Sequence, residues 1–305
     1  MKLDTLIIGA GPAGCTAAIY LARAGFSTLL LGSTPPGGQL LHTNEIENFP
    51  GFPEPVSGAE LMMLMHKQCA NLKVPLSAEK AVSVDISSQP FKTTASDGTV
   101  YESRTLIAAT GATARWLGLE SENRLRNRGV SACATCDGFF YRGKTVCVIG
   151  GGDSALGDAL FLSRFADSVK LVHRRDKLRA CAALIAKAES NPKISFVWDS
   201  TVDEVLGAES VSGLRLRNLK TGLVSDLPCQ GVFLAIGHDP ASELFEGKLD
   251  IDKEGYITVS RHTLTSVPGV FACGDVTDPY YKQAVCAAGS GCMAALDARD
   301  YLNRL

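Results

Sequence analysis

The sequence has no apolar run near the roughly 18 to 20 residues that a membrane-spanning helix needs, so no membrane span is expected. It has almost no excess charge: 30 Lys and Arg stand against 32 Asp and Glu, a net −2. Aromatic residues reach only 7%, and none interleave with basic residues into a stripe. Nucleic acid and anionic membrane both favour a basic patch and are excluded as partners. A structural zinc site wants four ligands, and one C-x-x-C with no histidine or second pair nearby supplies two; no metal is expected. The start, Leu3-Asp4-Thr5-Leu6-Ile7-Ile8, is too short and wrongly flanked for a secretory leader. A cytoplasmic location is expected.

What is present is a chain of 305 residues, 46% hydrophobic, long enough for two domains with separate cores. Ten cysteines could suggest a disulfide framework, but a cytosolic protein keeps its thiols reduced. Cys15, Cys69, Cys147, Cys181, Cys229, Cys273, Cys286 and Cys292 lie in apolar or small-residue contexts and read as buried, inert thiols. Cys133-Ala134-Thr135-Cys136 is different. Two thiols at this spacing close a small ring and can exchange two electrons as a disulfide/dithiol pair. Asp137 follows at once and can supply or remove the accompanying proton.

Residues 3 to 8 read as a strand, Thr16 to Ala24 as a helix and Ser27 to Leu31 as a second strand. Between the first two lies Gly9-Ala10-Gly11-Pro12-Ala13-Gly14, a G-x-G-x-x-G turn. Its glycines permit the tight turn, the approach of a pyrophosphate and close helix–strand packing. The acidic ribose partner expected about 20 residues on is missing; the strand ends in Leu31-Gly32-Ser33-Thr34. Local residues therefore leave the first nucleotide undecided. Pro35 to Leu40 and Glu47 to Pro53 read as wrapping loops, in which Gln39 and Asn48 can hydrogen-bond a heterocycle. Gly58 to Asn71 reads as an amphipathic helix with His66 on its surface. Residues 80 to 107 alternate like a meander and exit through Ala109-Thr110-Gly111-Ala112.

A second strand–glycine–helix unit runs from Gly143 through Gly150-Gly151-Gly152-Asp153-Ser154-Ala155 into Leu156 to Phe165. Its next strand ends in His173-Arg174-Arg175-Asp176, with Arg179 beyond. Arginines at this place accommodate a 2′-phosphate, which favours NADP over NAD. The strand 231–236 exits through a glycine turn much as 106–112 does. The fold class expected is α/β, with two Rossmann-like domains of three-layer ββα type, the second inserted into the first. The expected division is residues 1–114 with 245–305, and 115–244. Near the end, Gly274-Asp275-Val276 closes a strand, and Asp275 can accept a hydrogen bond from a polyol chain. The helix Gln283 to Tyr301 follows.

Taken together, these motifs resemble the low-molecular-weight thioredoxin reductases from residue 3 to the C-terminus. The Cys-Ala-Thr-Cys-Asp-Gly run between two dinucleotide turns is the most specific of them. The resemblance implies FAD at the first site, held by Gly9, Gly11, Pro12, Ala13, Gly14, Thr34, Gly37, Gly38, Gln39, Leu40, Asn48, Thr110, Gly111, Gly274, Asp275, Lys282, Gln283 and Ala284. It implies NADPH at the second, on Gly150, Gly152, Asp153, Ser154, Ala155, His173, Arg174, Arg175 and Arg179. It implies a homodimer and thioredoxin as partner. It further implies that Cys136 faces the flavin, that Cys133 attacks the partner's disulfide, and that Asp137 is the acid/base. Lys282 stands where the family usually has Arg, and Cys286 where a non-thiol is usual. Because the C-x-x-C and the NADPH site share the inserted domain, that domain is expected to rotate on linkers near 112–117 and 238–245.

Three rival readings use some of the same residues. A flavin-dependent dithiol oxidase of a small molecule would keep the C-x-x-C but have little use for His173-Arg174-Arg175. A non-catalytic redox sensor or metal-binding module would use the C-x-x-C, which supplies only two of the four ligands a structural zinc site wants. A peroxide-reducing flavoprotein would need an added N-terminal thioredoxin-like domain, which Met1-Lys2-Leu3 does not provide. The arginine reading is tested by Arg174→Ala with Arg175→Ala. Each lost charge-assisted bond should cost about 1.5 to 3 kcal/mol, raising the KM for NADPH while that for NADH stays put. An unchanged NADPH/NADH preference in steady-state kinetics would reject it.

Overall fold

The computed structural model describes residues 2–33 and 35–305. The chain divides into two compact units, residues up to Thr113 with Asp239–Leu305, and Ala114–His238. The first begins with β1 (Lys2–Ile8), α1 (Pro12–Arg23) and β2 (Thr28–Leu31). Then come α2 (Gly58–Asn71), β3 (Leu76–Ser77), β4 (Ala81–Asp85), β5 (Phe91–Ala95), β6 (Val100–Ala108) and the connecting β7 (Ala112–Ala114). The second unit opens with α3 (Glu120–Arg124), β8 (Val130–Ser131) and α4 (Ala134–Asp137). It continues with β9 (Thr145–Gly150), α5 (Asp153–Leu162), β10 (Ser168–Val172), α6 (Ala182–Glu189) and β11 (Ile194–Val197). It closes with β12 (Ser200–Leu206), β13 (Gly213–Asn218), β14 (Val224–Pro228) and β15 (Gly231–Ala235). The chain returns through β16 (His238–Pro240), and β17 (Val270–Ala272) and α7 (Ala284–Leu302) complete the first unit.

The first unit is built on one sheet of order β3-β2-β1-β6-β5-β4, with β17 also on β6. β1, β2, β3, β6 and β17 are mutually parallel, while β5 runs antiparallel to both of its neighbours, β6 and β4. Strand side chains alternate between faces. Ile7, Leu30, Ile107 and Phe271 therefore pack on the helical side. Leu6, Ile8, Leu106 and Val270 pack on the opposite side with Phe91 and Phe245. The second unit repeats the scheme. A parallel sheet of order β11-β10-β9-β15-β8 carries α5 and α6 against Phe233, and the antiparallel sheet β12-β13-β14 against Val232 and Leu234. Both units are α/β and Rossmann-like.

Local chemistry moves several elements from where periodicity puts them. α1 starts at Pro12, not Thr16, because proline presets the helical φ at the first position, where a missing N–H costs nothing. α5 likewise starts at Asp153. α7 lies unusually close to α1: a Cβ on Gly291 would stand 2.1 Å from the Ala13 carbonyl. Residues 239–244 fold with the first unit, where Ala241 N donates to Gly111 O at 2.9 Å and Ser242 Oγ donates to Gly255 O at 2.6 Å.

Two expectations are corrected. Cys181 and Cys286 are exposed and Cys292 half-buried, because they lie at a helix start or on the outer face of α7. Within the charged stretch from Glu120, Glu122 is fully buried and its carboxylate accepts from Leu117 N and Gly118 N at 2.9 Å each. His66 is not a free surface residue, since its Nε2 donates to the Ala10 carbonyl at 2.9 Å.

Candidate active site

The two glycine turns share a steric pattern. A Cβ on Gly9 would lie 2.0 Å from Ala109 O, and one on Gly14 would lie 1.8 Å from Gly9 O. Both glycines are demanded by neighbouring backbone. Gly11 is not: its φ of −83° suits any residue, and the nearest atom to an added Cβ is Gly37 O at 4.0 Å. The second turn matches. Gly150 is fixed by Ala235 O at 2.4 Å, whereas Gly152, with φ −102°, has nothing within 4 Å. A middle glycine unneeded by the protein leaves a cradle that a Cβ would fill, at a helix N-terminus. That arrangement suits a pyrophosphate in both units.

The first unit gathers most residues expected at its site. Gly37 and Gly38, both with positive φ, face the first turn across from Gly11, and Gln39 and Leu40 begin the helical turn that follows. Gln39 Nε2 donates to Thr113 Oγ1 at 3.5 Å. Asn48 Nδ2 donates to Gln283 Oε1 at 3.3 Å, although 235 residues separate them. Gly274 abuts Ala13, 2.9 Å from its Cβ to the position a Cβ would take. Thr110 is committed elsewhere: its hydroxyl donates to Ala241 O at 2.6 Å. Thr34 lies outside the described residues. Burial, reinforced by the Asp278 charge and opposed by Lys282, pushes the Asp275 carboxyl up to about 6. No donor among the described residues bonds that carboxylate, as suits a group kept for a ligand hydroxyl. The Asp278 carboxylate accepts from Tyr280 N, Tyr281 N and Lys282 N at 2.8 to 3.0 Å and so shapes the loop before Gln283 and Ala284. Lys282 Nζ donates to Pro279 O and stands 5.9 Å from the Tyr256 ring.

In the second unit Arg174, Arg175 and Arg179 are exposed and have no carboxylate partner among the described residues. Their neighbour Asp176 is engaged by Lys220 at 2.9 Å. Three uncompensated guanidiniums beside a dinucleotide turn are suited to a phosphate. His173 differs from them. It is buried, its Nε2 donates to Lys177 O at 3.1 Å, and its ring fills the space a Cβ on Gly151 would need, 2.2 Å from Cε1. Burial lowers its pKa despite these carbonyl contacts. His173 braces the turn; Asp153 does so too, accepting from Cys181 N at 2.7 Å.

Cys133 and Cys136 form a disulfide, with Cα atoms 5.3 Å apart. Cys133 caps α4, and its Sγ accepts from Cys136 N at 3.2 Å. Burial raises the Asp137 carboxyl above the usual range, against the Ser131 hydroxyl bond that lowers it. Ser131 Oγ accepts from Cys133 N at 3.0 Å and donates to Cys133 O at 3.3 Å, so one buried serine holds the Cys133 backbone beside the acid. Sequence reasoning missed Ser131; only its place two residues before Cys133 could have marked it. It also missed Phe139 and Phe140, 56% and 40% exposed directly after the pair. Two adjacent exposed phenylalanines were the available signal.

The steric pattern predicts that Gly11→Ala and Gly152→Ala fold normally, with Tm of the cofactor-free protein within ~2 °C of the parent. Each should weaken its own nucleotide by at least ~tenfold in direct titration. Gly9→Ala should instead fail to fold. For Asp275 the sign follows from a folded value above the ordinary 3.8. The folded protein binds that proton more tightly, so the contribution to stability falls as pH rises through about 6. At ~1.4 kcal/mol per unit the loss is about 3 kcal/mol. In flavin-free protein, Asp275→Asn should raise Tm over the parent at pH 7.5 but not at pH 4, while weakening flavin retention. Equal melting at pH 7.5 would contradict this account.

Comparison with known proteins agrees with this geometry. Residues 3–291 match the family described as pyridine nucleotide-disulphide oxidoreductase. A thioredoxin reductase of Streptomyces coelicolor is 51% identical over 304 residues, 99% of this chain and 94% of that one. One from Rickettsia conorii is 48% identical, with both chains covered completely. The solved thioredoxin reductase of Streptococcus pyogenes superposes with a TM-score of 0.94 at 40% identity, over 100% of this chain and 99% of the other. The chain belongs to the pyridine nucleotide-disulphide oxidoreductase family.

Proposed function

We propose that this chain is a thioredoxin-disulfide reductase, carrying electrons from NADPH through FAD to Cys133–Cys136 and on to the disulfide of a thioredoxin. The observation that carries the reading is the oxidised Cys133–Cys136 pair followed directly by Asp137, an acid whose pKa burial raises. It sits in a chain with two cradles for dinucleotides.

FAD would be held by Gly9 to Gly14, Gly37 to Leu40, Asn48, Gly111, Gly274, Asp275 and Lys282 to Ala284. NADPH would be held by Gly150 to Ala155 with Arg174, Arg175 and Arg179. When bound, the two cofactors supply hydride transfer and a two-electron carrier that can reduce a disulfide. The chain's own residues do the rest. Two electrons break the Cys133–Cys136 bond, and one proton from Asp137 leaves one thiol and one thiolate. A proton held at a raised pKa is still available near neutrality, and such positioned transfer is worth roughly 10²- to 10⁴-fold. Cys136 N–H already points at Cys133 Sγ and stabilises negative charge there. Cys133 then attacks one sulfur of the substrate disulfide, forming a mixed disulfide and expelling the first substrate thiolate, which is protonated. Cys136 passes its proton, by way of the Asp137 carboxylate, to that first thiolate; then, as thiolate, it attacks Cys133 Sγ, restores the pair and releases the second substrate thiolate, which takes a proton from solvent.

Phe139 and Phe140 favour a protein as substrate, since exposed aromatics beside a reactive sulfur offer an apolar docking face. The uncompensated arginines argue against a small-molecule dithiol oxidase, which has no use for a 2′-phosphate site. The working form is a homodimer. A groove of roughly 270 Å³, lined by Tyr20, Phe49, Phe52, Leu61, Leu64 and Met65, leaves apolar surface that a second copy would cover. Among the described residues no helix is long and apolar enough to cross a membrane. The eight unpaired cysteines suit the reducing cytoplasm.

The protein should purify yellow, bleach with NADPH under anaerobic conditions, and reduce a thioredoxin far faster than small disulfides. Cys133→Ser and Cys136→Ser should each keep flavin bleaching by NADPH and lose thioredoxin reduction, by on the order of 10³-fold or more. Thioredoxin reduction at the parent rate by both variants would sink the assignment.

A further inference from the structure

At a turn that binds an anion, the amides face the ligand and the carbonyls face the protein. A carbonyl turned inward needs a donor or it drifts toward one. Ala10, between Gly9 and Gly11 of the first turn, is buried. Its carbonyl accepts from His66 Nε2 at 2.9 Å and, as a weaker second bond, from the Cys15 thiol at 3.5 Å. A carbonyl only accepts, so Nε2 carries the proton and the ring's role as donor is fixed.

The ring is held by a rigid support. His66 lies on α2 between the buried Met62, Met65 and Cys69, which face the core shared with α1. Ser57 caps α2, accepting from Glu60 N at 3.1 Å. Gly58 brings the start of α2 against the loop before it: a Cβ there would meet Leu40 O at 1.8 Å. The second unit has the same device, built from another element. His173, just past the end of β10, packs onto Gly151 and donates to Lys177 O. A histidine braces each dinucleotide turn from behind, reached once from a helix and once from a strand end.

We propose that His66 is a positioning residue for the first dinucleotide site. Its Nε2–H holds the Ala10 carbonyl back, which keeps the amides at the start of α1 aimed at the nucleotide pyrophosphate. This deepens the reading of that site as the FAD site and rests on it. His66 acts through the turn and leaves the chemistry at Cys133–Cys136 to other residues.

The test compares His66→Leu, which removes the donor, with His66→Gln, whose amide N–H reaches the place of Nε2–H. Flavin-free protein is titrated with FAD and followed by flavin fluorescence, and the melting of each flavin-free variant is recorded alongside. Loss of one hydrogen bond should weaken FAD by roughly five- to tenfold in the leucine variant, and glutamine should recover most of it. The melting temperatures should not follow this order, because a role confined to packing would move Tm and leave affinity alone. If the leucine variant does not fold, His66→Asn, whose amide is too short to reach Ala10, takes its place against His66→Gln. Parent-like FAD affinity in a folded leucine or asparagine variant, or no recovery with glutamine, overturns the proposal. Absence of FAD binding by the unaltered protein overturns the flavin reading itself, and the proposal with it.

Discussion

An anion can be met by backbone amides only where no side chain stands in the way and a helix begins. This constraint organises each unit. It requires Gly9 and Gly14 to touch, so that β1 turns into α1 without room for a methyl group. It brings α7 against α1 through Gly291 and Ala13, which carries Gly274 and Asp275 to the same place. The second unit repeats the arrangement around Gly150 and Ala235 with different loops. The cofactor sites are thus mainly a property of backbone approach. Side chains add selectivity at the margins: a carboxyl kept without a donor at Asp275, and three guanidiniums kept without a carboxylate at Arg174, Arg175 and Arg179.

The redox centre is built the opposite way, from near neighbours in sequence. Cys133, Cys136, Asp137 and Ser131 span seven positions, and their bonds to one another need no distant partner. A four-residue helix gives the two sulfurs different surroundings: one caps it and the other completes its turn. Unequal sulfurs are useful to a dithiol that must open toward one partner and close toward the other. The acid is tuned by burial rather than by a charged neighbour, which leaves the sulfurs free of a competing ion pair.

Much of this was legible in the residues. Strand–glycine–helix units announce themselves, because apolar alternation stops at glycines that nothing but a turn needs. The C-x-x-C and Asp137 are contiguous and could be seen directly. What was not legible depends on long-range approach. His66 looks like an ordinary polar face of an amphipathic helix until Ala10, 56 residues away, is placed beside it. His173 stands next to two arginines in sequence, yet its ring packs inward under Gly151 while theirs stay outside. The exposure of Cys181 and Cys286 was hidden because small apolar neighbours surround an exposed helical face as readily as a buried one. The partnership of Asn48 with Gln283 links a loop to the last helix and has no local signature.

The discontinuity of the first unit bears on the order in which the protein comes into being. Its central sheet lacks β17, and α1 lacks its closest packing partner α7, until the last forty residues or so have left the ribosome. The second unit is contiguous and has all its strands well before then. During vectorial synthesis the inserted unit therefore closes first, and the unit that contains the N-terminus closes last. In the interval, β6 keeps an open edge and α1 an apolar face that α7 will later cover. This chain would call on chaperones at its beginning rather than its end.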